Sequence, residues 1–599
     1  MRNAVAALAI TALVGLAACG GGDDDTGDPS GPDGDPGDCT VIDMAVSSEK
    51  IALLADLADE FNSGSTSRSE AGCWFVRPYS KASGGAAQLI ADGWPDPEIN
   101  GERPVIWSPA ASGWAGIANE RAGRQVAPPG TPFMLTPLVI AMPEPMAEAL
   151  GWPDESLGFA DIVELATNPE GWASVGHPEW GPFRLGKTNP NYSTSGLNFT
   201  IAQYYAATGK SGGLTVEDLA RPEAVQFGED VESAVVHYGD ITMTFLNNWF
   251  ATDARGTSLT YASAVAVEEK SVIDYNRGDP DGVLAPGEVP RVPRIPLVAI
   301  YPEEGTLYSD SPFIVLDAEW VTDDQRAGAS AFEEFVQLPE NQAKVLEYGF
   351  RPNNPNVALA DPISPDYGVD PGQPQTELEV PADDVLVRVL DTWAEQRKDA
   401  RVLLVLDVSG SMGDPASDDA TKLDLAKEAA IAALDDFKAT DEVGLWVFTT
   451  DMFGDDPNYT ELVPVGPIGE DEGQLEGEID GQYPLNGTPL YDVAGKAYQA
   501  MLDSYDPTKI NAVVFLTDGV NDDGVVADDE QQFTDLIDSL RSGSEGAQSR
   551  PVRMFTISYG DGADTVTLKA ISQATSAAHY DASNPATINQ VFTAVISNF

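Results

Sequence analysis

The chain has 599 residues, with 33 Lys+Arg against 96 Asp+Glu and a formal net charge of −63. That length exceeds one hydrophobic core, so two or three domains are expected. The acidity excludes a nucleic-acid binder, because phosphates would be repelled, and leaves cations, basic partners or solubility as its reasons. With three histidines and three cysteines in the whole chain, a Cys/His zinc site is excluded. No Gly-x-Ser-x-Gly elbow is present, and Gly209-Lys-Ser211 is not the tail of a phosphate loop, since Tyr204 stands where the upstream glycine is required.

Residues 1–18 read as a signal peptide, with Arg2 followed by an apolar stretch too short to span a bilayer. Leu16-Ala-Ala-Cys19 resembles a bacterial lipobox, which implies lipidation at Cys19 and a lipid anchor to the membrane. Residues 19–38, rich in Gly, Asp and Pro, cannot bury apolar surface and read as a disordered tether. Cys39 and Cys73 then remain, and an even pair in an exported protein predicts a disulfide.

Residues 39–370 alternate strands and helices. Strands are expected at Val41–Val46, Trp74–Pro78, Val105–Ser108, Leu135–Met142, Arg184–Thr188, Ala262–Glu268 and Pro312–Leu316. Ser83 reads as an N-cap for a helix over Gly85–Trp94, and the Ser193-Thr194-Ser195 turn opens a helix over Leu197–Ala207. Helix starts carry free N–H groups, so these serines suit an anionic ligand, or serve only as caps. Glu268 could instead meet an amine. Trp107 and Trp249 could stack on a ring or fill the core. Residues 371–397 are a linker, with a helix over Asp383–Trp393.

The order of Ser83-Gly-Gly-Ala86, Val105-Ile-Trp-Ser-Pro109, Leu135–Met142, Ser193-Thr-Ser-Gly196, Val265–Asn276 and Gly349-Phe-Arg-Pro352 resembles a type II extracellular solute-binding protein. The resemblance implies a bilobal, periplasmic-binding-protein-like α/β domain. Its two crossover strands would be Leu135–Met142 and Ala262–Glu268, with a small-molecule solute in the cleft at Ser83, Ser193, Thr194, Ser195 and Glu268.

Residues 398–599 alternate again. The apolar run Val402–Leu406 stops at Asp407, and Ser409 and Ser411 follow; Ala512–Leu516 runs on to Asp518; Thr488 lies in a loop opening a helix. Parallel strands present their carboxyl ends at one edge of an open α/β sheet, where ligands bind. Carboxylates and hydroxyls are hard oxygen donors that suit Mg²⁺. Asp407-x-Ser409-x-Ser411, Thr488 and Asp518, in that order, resemble the metal-ion-dependent adhesion site of the von Willebrand factor A family. That resemblance implies a doubly wound, Rossmann-like domain, Mg²⁺ (or Mn²⁺/Ca²⁺) on those five residues, and a protein partner offering a carboxylate to the metal. The function expected is therefore a non-catalytic, lipid-anchored binding protein on the extracytoplasmic face, or alternatively the binding component of an ABC-type transporter. Acidic loops at Asp451–Asp456 and Asn521–Glu530 read as solvated faces or further cation sites.

Overall fold

A computed structural model describes residues 34–599 apart from 70–71, 240, 284–288, 418–419, 453–455, 545 and 547–549. The signal-peptide and lipobox readings, Cys19 included, lie outside the described residues. Three sheets organise the rest.

The first sheet orders Arg68–Ser69, Gly72–Ser80, Thr40–Val46, Ile106–Ser108, Pro312–Val315 and Thr131–Pro132. Thr40–Val46 runs parallel to both its neighbours, which is why it reads as a nearly continuous apolar run and is buried along most of its length. Helices Ile51–Ser63, Ser83–Ala91, Gly113–Ala122 and Asp323–Val336 cover this first lobe. Cys39 and Cys73 form a disulfide, Cα–Cα 4.7 Å, that ties the start of Thr40–Val46 to the neighbouring strand.

The second sheet orders Leu297–Ile300, Met134–Pro143, Ala264–Glu268, Leu185–Thr188 and Val235–Gly239. Thr131–Pro132 pairs in the first sheet and Met134–Pro143 in the second, so the chain crosses between lobes there, as expected of the Leu135–Met142 stretch. Ala264–Glu268 does not cross: it is paired on both sides within the second sheet. The return passes through residues 308–315, where Tyr308–Ser309 still pairs with Met134–Pro143 and Pro312–Val315 already pairs with the first sheet. Trp107 and Trp249 are both fully buried, Trp249 among Phe245, Tyr261 and Tyr275 with its indole N–H on Ser258 O at 3.1 Å, so both belong to the core.

The third sheet orders Tyr459–Pro467, Glu442–Phe448, Ala400–Asp407, Ile510–Thr517, Val552–Tyr559 and His579–Ala582, all parallel except the first pair. This is the doubly wound sheet that the strand–helix alternation predicts. The apolar cluster around it is continuous with that of both lobes. The bridging helix Asp383–Gln396 lies against Gly113–Ala122 of the first lobe, where a Cβ on Gly116 would stand 2.4 Å from Asp383 Oδ1. Its other end reaches the second lobe, where the Tyr204 hydroxyl donates to Gln396 Oε1 at 3.0 Å and Trp393 meets the Tyr238 ring edge-on. The C-terminal helix Ile588–Ile596 repeats the pattern: Gln590 Nε2 donates to Asn100 Oδ1 at 2.6 Å, and just beyond it Ser597 O accepts from Asn189 Nδ2 at 2.8 Å. The third domain thus touches both lobes at once.

Candidate functional site: a cluster of oxygen donors at the edge of the third sheet

Asp407 is the last residue of Ala400–Asp407, a strand buried on both faces, and its side chain is wholly enclosed. Oδ1 accepts from Ser409 N at 2.7 Å, which folds the Ser-Gly-Ser loop back over the strand end. Oδ2 accepts from Thr517 Oγ1 at 2.5 Å, on the adjacent parallel strand. Ser409 Oγ and Ser411 Oγ lie 3.1 Å apart, and Ser411 Oγ donates to Asp518 Oδ1 at 2.7 Å. The Thr488 loop joins them: Thr488 N donates to Asp522 O at 3.0 Å, Asp522 N returns a bond to Thr488 O at 2.8 Å, and Gly410 N donates to Asn486 O at 2.8 Å. A Cβ on Gly519 would stand 3.1 Å from Thr488 Oγ1, so the Thr488 hydroxyl lies against the residue that follows Asp518. All five residues read from the sequence are therefore gathered at one sheet edge, and four of them are buried.

The donor set is two carboxylates and three hydroxyls, hard oxygens that fit a divalent cation. The electrostatics fit as well. Burial is the main cause that pushes the Asp407 carboxyl up to about 7, and the neighbouring Asp518 carboxylate adds to it. Two residues escaped the sequence reading. Thr517 precedes the strand-end aspartate and looked like an ordinary strand residue. Lys422, which opens the helix Lys422–Ala432, places its ammonium 2.8 Å from Asp518 Oδ2. The capping box at Thr421 and Asp424 was its available signal, since it fixes the helix start one residue before the first apolar position.

The second expected site lies between the lobes, which are closed on each other. Gly84 N donates to Tyr192 O at 3.0 Å across the cleft, and a Cβ on Gly84 would lie 1.9 Å from Asn191 O, so only glycine permits this approach. Trp114 Nε1 of the first lobe donates to Thr194 Oγ1 of the second at 2.8 Å. A cavity of about 40 Å³ remains, and Ser83, Ser193, Thr194 and Glu268 line it together with Glu49, which the sequence reading passed over. Ser195 is not on its wall; its hydroxyl bonds Thr242 Oγ1 at 2.6 Å behind it. Ser83 is not an N-cap: the helix runs Ser83–Ala91 with Ala82 at the cap, and Ser83 Oγ accepts from Ala110 N at 3.1 Å. Gly84 is required there by the close approach of the opposite lobe, which offsets its poor helix propensity. Ser193 does hold the N-cap position of Thr194–Thr208, but its hydroxyl bonds Thr188 Oγ1 at 2.8 Å and not the helix backbone.

Of the acidic loops, Asp456 pairs with Lys496, and Asp523, Asp528 and Asp529 bring their carboxylates within 4.8 Å of one another. Among the described residues no helix is long and apolar enough to cross a membrane.

The model of the bacterial extracellular solute-binding proteins matches residues 42–351, and that of the von Willebrand factor type A domain matches residues 402–521. The uncharacterised protein Rv1836c of Mycobacterium tuberculosis is 23% identical over 546 residues, covering 88% of this chain and 73% of its own. Among solved structures, the periplasmic binding protein AfuA from Actinobacillus pleuropneumoniae, with fructose-6-phosphate bound, is similar at 13% identity and a TM-score of 0.40, over 60% of this chain and 99% of that one. A von Willebrand factor type A protein from Catenulispora acidiphila is similar at 18% identity and a TM-score of 0.27, over 34% and 42%. Two closed lobes followed by a parallel sheet with its oxygen cluster fit both matches, and the chain belongs to the bacterial extracellular solute-binding protein family, with a von Willebrand factor type A domain after the lobes.

Proposed function

We propose that this chain is an extracytoplasmic, non-catalytic binding protein. It holds Mg²⁺ (or Mn²⁺/Ca²⁺) at Asp407, Ser409, Ser411, Thr488 and Asp518 and takes a carboxylate from a protein partner there. A small solute is enclosed between the lobes, and a lipid at Cys19 anchors the chain to the membrane. The observation that carries the reading is the convergence of five oxygen donors from three loops distant in sequence, on a sheet edge where their two acids repel each other unless a cation intervenes. A bound divalent cation would offer an open position to an incoming carboxylate. Calorimetric titration of the full chain with Mg²⁺ and Mn²⁺ tests it. Wild type is expected to bind in the micromolar-to-millimolar range and Asp407→Ala to lose all response while its circular dichroism is unchanged. Absence of binding by wild type at millimolar metal would overturn the reading.

Lys422 bears on the affinity. In the absence of metal its ammonium supplies the positive charge that Asp518 needs, so a metal must share or displace it. Lys422→Met is therefore expected to tighten Mn²⁺ binding at least tenfold, equivalent to about 1.4 kcal/mol. An equal or weaker affinity would instead make Lys422 a residue that positions Asp518 for the metal.

A further inference from the structure

The interlobe cavity has a charge of its own. Among the described residues its wall holds two carboxylates, Glu49 from the first lobe and Glu268 from the second, and no Lys, Arg or His. Glu268 is 5% exposed, and among the described residues its side chain accepts one hydrogen bond from a side chain, Ser309 Oγ at a weak 3.4 Å. Glu49 Oε1 accepts from Ser47 Oγ at 2.6 Å. The lysines closest in sequence form their direct bonds elsewhere, Lys50 Nζ on Pro109 O at 2.8 Å, Lys81 Nζ on Asn100 O at 3.4 Å and Lys270 on Asp274, and Lys270 reaches Glu268, and Lys50 reaches Glu49, through space alone. A buried carboxylate without a cation beside it is costly, and the half-buried Glu49 adds a like charge to the buried Glu268.

The helix starts at Ser83, Thr194 and Thr242 pull the other way, since each brings part of a positive charge to the cavity. In the closed lobes one of those N–H groups, on Gly84, is bonded to Tyr192 O. Three such helix ends amount to about +1.5 at most, less than the two negative charges the wall carries once Glu268 is ionised beside a bound cation.

We infer that the cleft takes the cationic head of an amine, a primary ammonium or a guanidinium, held between Glu268 and Glu49. This rests on the reading that the cleft holds a solute and names its chemical class. The cavity of about 40 Å³ holds about three water-sized spheres of roughly 10–15 Å³ each, room for one such head group. A longer ligand would extend into a less tightly closed cleft. Burial, to which Glu49 adds, pushes Glu268 up to about 8, so without a cation the group is largely protonated near neutrality, and cation capture releases a proton.

The test is a thermal-shift screen of the full chain in EDTA, with methylammonium, putrescine, lysine and arginine against phosphate, sulfate, citrate and glucose. At least one amine is expected to raise Tm by about 2 °C or more at roughly a hundredfold excess over its Kd. Glu268→Gln, which is isosteric with the protonated acid and should fold, is expected to abolish that shift. An anion or a sugar that stabilises where no amine does would overturn the ligand class while leaving the cleft a solute site. A shift with Ca²⁺, measured without EDTA in the Asp407→Ala chain, that Glu268→Gln removes, with no amine response, would make the cleft a metal site and overturn the inference. Silence from every compound would overturn both the inference and the solute reading.

Discussion

Freed of metal, the protein is expected to lose about 3 kcal/mol of stability through Asp407 alone as pH rises from 4 to 7. The acid is held at about 7 in the folded chain, against about 3.9 when exposed. Between those values the folded state keeps a proton that the unfolded state releases. Stability from this group is therefore fully present below the unfolded value and disappears as pH passes through the folded one, at about 1.4 kcal/mol per unit. A divalent cation reverses the preference, because the ionised carboxylate then has its counter-charge. Urea unfolding in EDTA and in Mg²⁺, at several pH values, reads both effects. The stabilisation by Mg²⁺ should grow with pH, and Asp407→Asn, neutral throughout, should lack both the metal response and this part of the slope. A Mg²⁺ effect that is flat from pH 4 to 7 would show that Asp407 is ionised in the metal-free chain.

Much of this site could be read from residue order because both acids terminate apolar runs, and a buried parallel strand announces its own end. Asp407 and Asp518 are fixed by that rule, and Thr488 by its loop. What escaped reading has a physical cause in each case. Glu49 closes a Ser-Ser-Glu turn just beyond Thr40–Val46 and obeys the same edge rule, but serine-rich turns are common and nothing local ties Glu49 to Glu268, more than two hundred residues away. Ser83 was set outside its helix because Gly84 and Gly85 weaken helix propensity, whereas the backbone of the opposite lobe requires a glycine there. The helix Ile468–Asp480 is so acidic that its stripe of Ile468, Leu475 and Ile479 was easily missed, although all three are buried. The family resemblance implies that Ala262–Glu268 crosses between the lobes, whereas Ala264–Glu268 pairs on both sides within the second sheet, since an apolar run shows that a strand is buried and not which sheet it enters.

Trp393→Ala is expected to destabilise the chain by about 3–5 kcal/mol and to split its unfolding into separable transitions. Trp393 is 2% exposed on the bridging helix and meets Tyr238 at a ring-centroid distance of 5.1 Å. Deleting a buried indole costs lost transfer energy plus the cavity left behind, which sets the magnitude. The site amplifies the loss. Tyr238 donates to Glu232 Oε2 at 2.6 Å, Glu232 pairs with the buried Lys187, and the Tyr238 hydroxyl accepts from Lys398 N at 3.2 Å, at the entry to the third sheet. A cavity there admits water beside a buried ion pair and loosens the seam between the second lobe and the third domain. In the wild type the apolar cluster runs unbroken through both lobes and the third domain, so calorimetry should show one cooperative transition. In the variant the third domain should melt apart from the lobes, and the Mg²⁺ shift should stay with that transition alone. The same helix presses Asp383 and Leu386 on the first lobe and Gln396 on the second, so the lobes can part only if the helix gives way on one side. Hydrogen exchange at the Gly84–Tyr192 contact is therefore expected to quicken in Trp393→Ala although that contact lies in the cleft. If the variant loses stability in a single unsplit transition and exchange at Gly84 is unchanged, the helix contributes packing but does not hold the lobes together.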